Sequence, residues 1–254
     1  MQYSNAVAFK VWGRYALFTD PLTRVGGEKF SYHIPTYEAL KGILSSVYWK
    51  PTIVWFIDKV RVMKPIRTQT RSAKPVHYAG IYPMARNPSK KEEPFTDLSI
   101  YNYLCDVEYQ VQAHFDWNYS RPDLEHDRNE HKHYCVARRM IERGGRRDVF
   151  LGTRECQGYV MPCAFGEGEG SYDNYEGEMS FGLMFHGFDY PDEVDAVRFY
   201  ARFWSPKMER GIIQFIPPKD CTIRKFVRPM KASPPATLGL QEASLLEGYQ
   251  EGDA

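Results

Sequence analysis

Between residues 107 and 119 the chain reads VEYQVQAHFDWNY. Val107, Tyr109, Val111, Ala113, Phe115, Trp117 and Tyr119 take every second position, and Glu, Gln, Gln, His, Asp and Asn fill the gaps. Side chains of an extended strand alternate between two faces, so this run is a long strand with one face buried and the other polar. One-sided burial points to an antiparallel sheet with helices covering one face. The rest of the chain has to supply the partner strands and those helices.

The flanking segments carry the required periods. Val7, Phe9 and Val11 alternate in a first strand, and an irregular stretch with Asp20-Pro21 and Gly26-Gly27 follows. In IPTYEALKGILSSVYWKP, Thr36 can cap a helix, Leu40, Ile43, Leu44 and Val47 form its apolar stripe, and Pro51 stops it. TIVWFIDKVRV reads as a largely buried strand. Residues 66–100 are polar, dotted with proline and include KKEE, which predicts a long insertion, a mobile hairpin in form. After the long strand comes a second helix, with Asp127 and Glu130 at capping-box spacing, Val136, Ala137, Met140 and Ile141 on one side, and Gly144-Gly145 at its end. TRECQGYV supplies another strand.

The resulting order, βαββαβ, predicts an α+β fold: a ferredoxin-like (RRM-related) domain over residues 1–163. FGLMFHGF, AVRFYARFW and GIIQFI predict a smaller β-rich unit over 164–230 without helices, and the acidic, proline-containing stretch 231–254 predicts a loose tail.

Composition narrows the function classes. A chain of 254 residues with 43% hydrophobic content can bury a real core. No run approaches the roughly 18 apolar residues of a membrane span, and MQYSNAVAFKVWG lacks the layout of a signal peptide, so a cytoplasmic protein with no membrane partner is expected. Five scattered cysteines with no CxxC pair argue against a disulfide framework or structural zinc and predict reduced, mostly buried thiols. Net charge is +1, but its distribution is uneven. Seven basic residues oppose Asp58 alone from Lys50 to Lys74, whereas Phe165 to Glu193 holds eight acidic residues and no Lys or Arg. Such halves suit a polyanion on one side and a protein neighbour on the other, or simply two solvated surfaces.

The chemistry concentrates in DRNEHKHYCVARR, residues 127–139. His131, His133 and Cys135 would share one face of a strand and could ligate zinc, but in a helix they fan out at about 100° per residue. RNA carries its own nucleophile, the 2′-hydroxyl, so a protein can cleave it with a base, an acid and positive charge at phosphorus. Histidine and lysine at a helix start can supply acid and charge, although a surface histidine beside a surface lysine is the plainer reading of this stretch alone. Arg138, Arg139, Arg143, Arg146 and Arg147 oppose only Glu142, a face able to hold a phosphate backbone.

Longer segments carry a resemblance. YALFTDPLTRVGGEKFSYHIPTYEALKGILSSVYWKPTI, VMKPI, RPDLEHDRNEHKHY, GGRRDVFLGTRECQGYV and HGFDYPDE, in that order, closely resemble the CRISPR-associated RAMP endoribonuclease of type I-C systems (Dvulg subtype) between about residues 7 and 230. The resemblance implies a ferredoxin-like amino-terminal domain, a β-rich carboxy-terminal one, and cleavage of CRISPR precursor RNA at the base of the repeat stem-loop. It implies no metal or other cofactor, and products ending in a 2′,3′-cyclic phosphate. It also implies retention on the crRNA 5′ handle beside the Cascade backbone and large subunits, with target DNA met only indirectly. A non-catalytic handle-binding cap is the alternative. The family's catalytic residues match Tyr48 in VYWKP and Lys132 and His133 in HKHY. His133 is then the expected acid for the leaving 5′-oxygen, Lys132 the charge at phosphorus, and Tyr48 a base or a group that positions the 2′-hydroxyl. Lys50, Arg138 and Arg139 are expected RNA contacts.

Overall fold

The computed structural model describes residues 5–21, 28–74, 98–194 and 197–232. In chain order its elements are β1 (Val7–Ala16), β2 (Lys29–Phe30), α1 (Tyr37–Val47), β3 (Ile53–Val62), β4 (Thr68–Ala73), β5 (Ser99–Trp117), α2 (Glu130–Glu142), β6 (Val149–Phe150) and β7 (Gln157–Pro162). They continue with β8 (Glu178–Ser180), β9 (Met184–Asp189), α3 (Pro191–Val194), β10 (Arg198–Trp204), β11 (Lys207–Glu209), β12 (Ile212–Gln214) and β13 (Ile223–Pro229). The fold is mixed α/β, dominated by antiparallel sheet, with few helices. No helix among the described residues is long and apolar enough to cross a membrane.

The alternating segment lies in β5 as far as Trp117, with Asn118 and Tyr119 past its end, and the main sheet is built around this strand of 19 residues. Its carboxy-terminal half pairs antiparallel with β1 on one side and β3 on the other, from Val7↔Ala113 to Ala16↔Leu104 and from Ile53↔Trp117 to Val62↔Tyr109. β7 lies antiparallel on the far side of β1, so the central order is β7-β1-β5-β3. The amino-terminal part of β5 takes other partners, β4 antiparallel and β2 parallel. On one side the partner changes from β3 to β4 around Asp106, whose φ of 54° breaks the extended run, while β1 stays paired to Leu104. Aspartate tolerates that region better than most residues.

Thr36 caps α1 as its position suggests, its Oγ1 accepting from Ala39 N–H at 3.1 Å. Leu40, Ile43, Leu44 and Val47 are buried against inward residues of the sheet, among them Phe9, Val11, Trp55, Ile57, Val111 and Phe115. α2 adds Ala137 and Ile141 to this core. Its amino terminus corrects the expected cap: Asn129, not Asp127, precedes the helix, with Oδ1 accepting from Lys132 N–H at 3.0 Å. Asp127 instead closes a 3-10 turn over Pro122–Asp127, which frees its carboxylate for other partners.

Beyond residue 163, β8, β11 and β12 extend the main sheet through β12–β3 pairing, while β9, β10 and β13 form a three-stranded sheet. The four-residue α3 corrects the expectation of a helix-free segment. The smaller sheet is locked to α1: His186 stacks on Tyr37 with centroids 4.2 Å apart, and Lys41 donates to both carboxylate oxygens of Glu193 at 2.7 and 2.6 Å. Of the insertion read over 66–100, the ends pair as β4 and β5, and residues 75–97 lie outside the described residues, as do 233–254 of the tail. All five cysteines are free, but only Cys156 and Cys221 are buried; Cys105 and Cys163 are partly exposed and Cys135 is exposed, which corrects the expectation of mostly buried thiols.

Candidate active site

Tyr48 is the first residue past α1. Its N–H donates to Leu44 O at 2.8 Å and its carbonyl accepts from the Trp55 indole N–H at 2.8 Å, which holds the backbone on both sides. The ring is 4% exposed. His133, in the first turn of α2, has no exposed surface, because it shares a helix face with Ala137 and Ile141 and meets Phe115 and Trp117 edge-on. The two residues touch: Tyr48 Oη lies 2.8 Å from His133 Nδ1.

The other imidazole nitrogen settles the direction of that bond. His133 Nε2 lies 2.8 Å from the backbone carbonyl oxygen of Asp127. A carbonyl can only accept, so Nε2 bears the hydrogen, and in the neutral ring Nδ1 is left as acceptor for the Tyr48 O–H.

Asp127 binds the cluster together. One carboxylate oxygen contacts the Lys132 ammonium closely; the other accepts from Thr52 Oγ1 at 2.7 Å and lies 3.5 Å from His133 Nε2. Burial would raise the Asp127 carboxyl, but the hydrogen bonds from Lys132 and Thr52 and the nearby positive charge outweigh it and hold the group at about 2. Burial, helped by the Asp127 charge and opposed by Arg146, raises the Tyr48 phenol above its ordinary value. The shift favours the protonated phenol. The Lys132 side chain stays half exposed, so its ammonium remains within reach of a ligand.

The expected residues thus divide by depth. Tyr48 and His133 are buried and bonded to each other, and Lys132 joins them at the surface through Asp127. Both nitrogens of His133, the expected acid, are engaged within the protein, and the residue has no exposed surface. Lys50 is exposed two residues past Tyr48. The Arg138 guanidinium lies over the Tyr134 ring at 5.8 Å and 3.9 Å from Glu142. Arg139 is exposed on the same stripe of α2 as Lys132, seven residues and about 10 Å along the axis.

Sequence reasoning missed Thr52 and Asp127 as parts of the site; Asp127 had been read as a cap. The zinc alternative loses His133 to the core, while His131 and Cys135, one turn apart, face each other at the surface with Sγ 3.6 Å from Nε2. Among the described residues no group of three or more His, Cys, Asp or Glu is arranged to hold a metal ion. A depression of about 860 Å³, between Phe56–Asp58, His114–Asp116 and the three-stranded sheet, includes none of the three expected catalytic residues.

A family model described as CRISPR-associated protein (Cas_Cas5), of the Cas5d form, matches residues 6–216. Over 67 residues the chain is 46% identical to a protein named CRISPR pre-crRNA endoribonuclease Cas5d from Mannheimia succiniciproducens, covering 26% of this chain and 29% of that protein. A protein of the same name from Thermus thermophilus is 38% identical over 55 residues, 22% of this chain and 23% of the relative. The chain thus matches less than a third of the length of these curated relatives. Among solved structures, one titled as a CRISPR-associated protein is similar with a TM-score of 0.66 at 32% identity, covering 89% of this chain and 99% of the other. A functionally uncharacterized protein from Streptococcus mutans is similar with a TM-score of 0.65 at 34% identity, covering 89% and 100%.

Proposed function

The chain belongs to the Cas5 family of CRISPR-associated proteins, in its Cas5d form, and from that premise we propose that it cuts CRISPR precursor RNA within the repeat, at the base of the stem-loop, without a metal ion. The observation that carries the reading is the 2.8 Å bond from the Tyr48 phenol to an imidazole whose far nitrogen is held on a carbonyl. It makes Tyr48 and His133 one acid/base unit, in which the phenol is the proposed point of proton exchange with the substrate.

In the proposed step the 2′-oxygen bonds to phosphorus as the bond from phosphorus to the 5′-oxygen breaks. The 2′-hydroxyl proton passes to Tyr48 Oη while the phenol's own proton moves to His133 Nδ1, so no free phenolate is needed. The imidazolium that forms is balanced by the Asp127 carbonyl and carboxylate. The Lys132 ammonium offsets the charge that grows on the non-bridging oxygens. The 5′-oxygen leaves with a proton from water, giving a 2′,3′-cyclic phosphate and a 5′-hydroxyl, and the hydroxide so formed takes the proton from His133 through Tyr48, which restores both residues. Lys50, Arg138 and Arg139 are proposed phosphate contacts; Arg138 is the weakest of them because Glu142 already shares it.

The β1-α1-β3-β5-α2-β7 order with spatial order β7-β1-β5-β3 supports reading residues 1–163 as a ferredoxin-like domain, with 164–230 as the β-rich unit. After the cut the protein is proposed to stay on the 5′ handle of the guide, next to the backbone and large subunits of Cascade. One observation favours the second reading, a non-catalytic cap on that handle: a buried histidine with both nitrogens satisfied is also what a structural core histidine looks like. Repeat RNA with a single 2′-deoxy sugar 5′ of the cut separates the two. The enzyme cuts the all-ribose RNA and leaves the deoxy form intact but bound; the cap binds both and cuts neither.

A further inference from the structure

Just past the buried Tyr48 ring the chain turns outward. Trp49 is 50% exposed and, with Ser46, Lys50, Pro51, Arg146 and Arg147, lines a depression of about 510 Å³. Gly144 and Gly145, at φ of 80° and 115°, fold the chain back after α2 to build its other wall. Arg146 N–H then donates to Val47 O at 3.2 Å and Arg147 N–H to Ser46 O at 3.1 Å. These bonds satisfy carbonyls that the end of α1 leaves open, so the backbone of both arginines is fixed while their guanidinium groups stay exposed. Among the described residues, none of Lys50, Arg146 and Arg147 forms an ion pair within 4 Å.

A half-exposed indole framed by three uncompensated cations matches the two halves of a nucleotide. A base stacks on an aromatic face whatever its identity, and a phosphate meets the positive charge. An acidic peptide would use the cations and leave the indole idle. The depression adjoins the site: Trp49 follows Tyr48 directly, and the Arg146 charge acts on the Tyr48 phenol. Its volume suits one nucleotide.

We propose that this depression binds a single unpaired RNA nucleotide next to the scissile phosphodiester, with its base on Trp49 and its phosphate among Lys50, Arg146 and Arg147. The inference rests on the reading that the ligand is RNA cut at Tyr48.

The test uses the full chain and non-cleavable repeat RNAs in which one base at a time is deleted to an abasic sugar. Binding is measured with wild type, Trp49→Ala and Trp49→Phe. At one position, adjacent to the cut seen in all-ribose RNA, base deletion should weaken wild-type binding about 5- to 150-fold, the range of one stacked base. The same deletion should cost Trp49→Ala nothing further, and Trp49→Phe should behave like wild type. Replacing Arg146 and Arg147 together by Ala should lower the salt dependence of log Kd by about 1.4. The inference is overturned if no position couples to Trp49, or if the coupled position lies away from the cut. If wild type cuts no RNA while one position still couples to Trp49, the cleavage reading fails and the nucleotide site stands.

Discussion

Replacing Tyr48 by Phe removes one oxygen and almost no volume, so its effects trace to the bond with His133. Nδ1 of that imidazole has no exposed surface and accepts from the phenol at 2.8 Å. Leaving a buried acceptor without its donor costs about 1–3 kcal/mol of stability, which is several degrees in Tm for a domain of this size. The reaction should suffer more, because removing a group that moves a proton in the transition state slows it by about 10²–10⁴-fold, or about 3–5 kcal/mol on the barrier. The assay is single-turnover cleavage of repeat RNA at saturating protein, with Kd measured on the 2′-deoxy RNA. Kd should stay within about threefold, since no ground-state contact to RNA is removed. Tyr48→Phe combined with His133→Gln should be about as slow as the slower single variant, because groups that act as one unit are not additive. The relay is refuted if Tyr48→Phe cuts within about threefold of wild type, or if the two losses multiply.

Asp127→Asn keeps the carbonyl that orients His133 but removes the charge that holds Lys132. Cleavage should slow about tenfold with Kd unchanged. The Asp127 carboxyl is depressed from 3.8 to about 2, so its contribution to stability is complete above pH 3.8 and lost as pH falls toward 2; subtracting the acid-unfolding curve of Asp127→Asn from that of wild type should reveal that window. His186 is pushed down from 6.5 to about 3, by burial first and then by Arg202, so the folded state keeps it neutral where the unfolded chain is protonated. Stability should therefore fall by about 1.4 kcal/mol per pH unit from pH 6.5 toward 3, and urea midpoints of His186→Phe should show a weaker pH dependence than wild type. Gly152 has a φ of 96°, and a methyl there would sit 2.0 Å from the carbonyl oxygen of Leu17. Gly152→Ala should cost more than about 2 kcal/mol by urea unfolding, and a neutral result would mean that this backbone approach is wrong.

Much of the scaffold was legible because it follows from period and punctuation. The β5 alternation, the Thr36 cap and the α1 stripe each obey a local rule that the tertiary structure leaves in place. β4 escaped because all but the last of its residues are exposed, and it exists only through pairing with the start of β5. β8 and β11, three residues each, are too short to carry a period. Asp127 was misread because Asn129 is as good a cap and lies next to the first helical residue, leaving Asp127 to Thr52 and Lys132, contacts across the fold that no local spacing encodes. The burial of His133 did leave a trace: it stands four and eight residues before Ala137 and Ile141, on the apolar side of the helix. Its bond to Tyr48, 85 positions earlier, did not.

The central claim is that the ribose of the RNA attacks its own phosphodiester with Tyr48 and His133 moving the proton. It is tested most directly by mapping both ends of repeat RNA cut by the wild-type protein in excess EDTA. The account predicts undiminished cleavage, a 2′,3′-cyclic phosphate on the upstream fragment and a 5′-hydroxyl on the downstream one. Loss of cleavage in EDTA, or fragments ending in a 3′-hydroxyl and a 5′-phosphate, would contradict it.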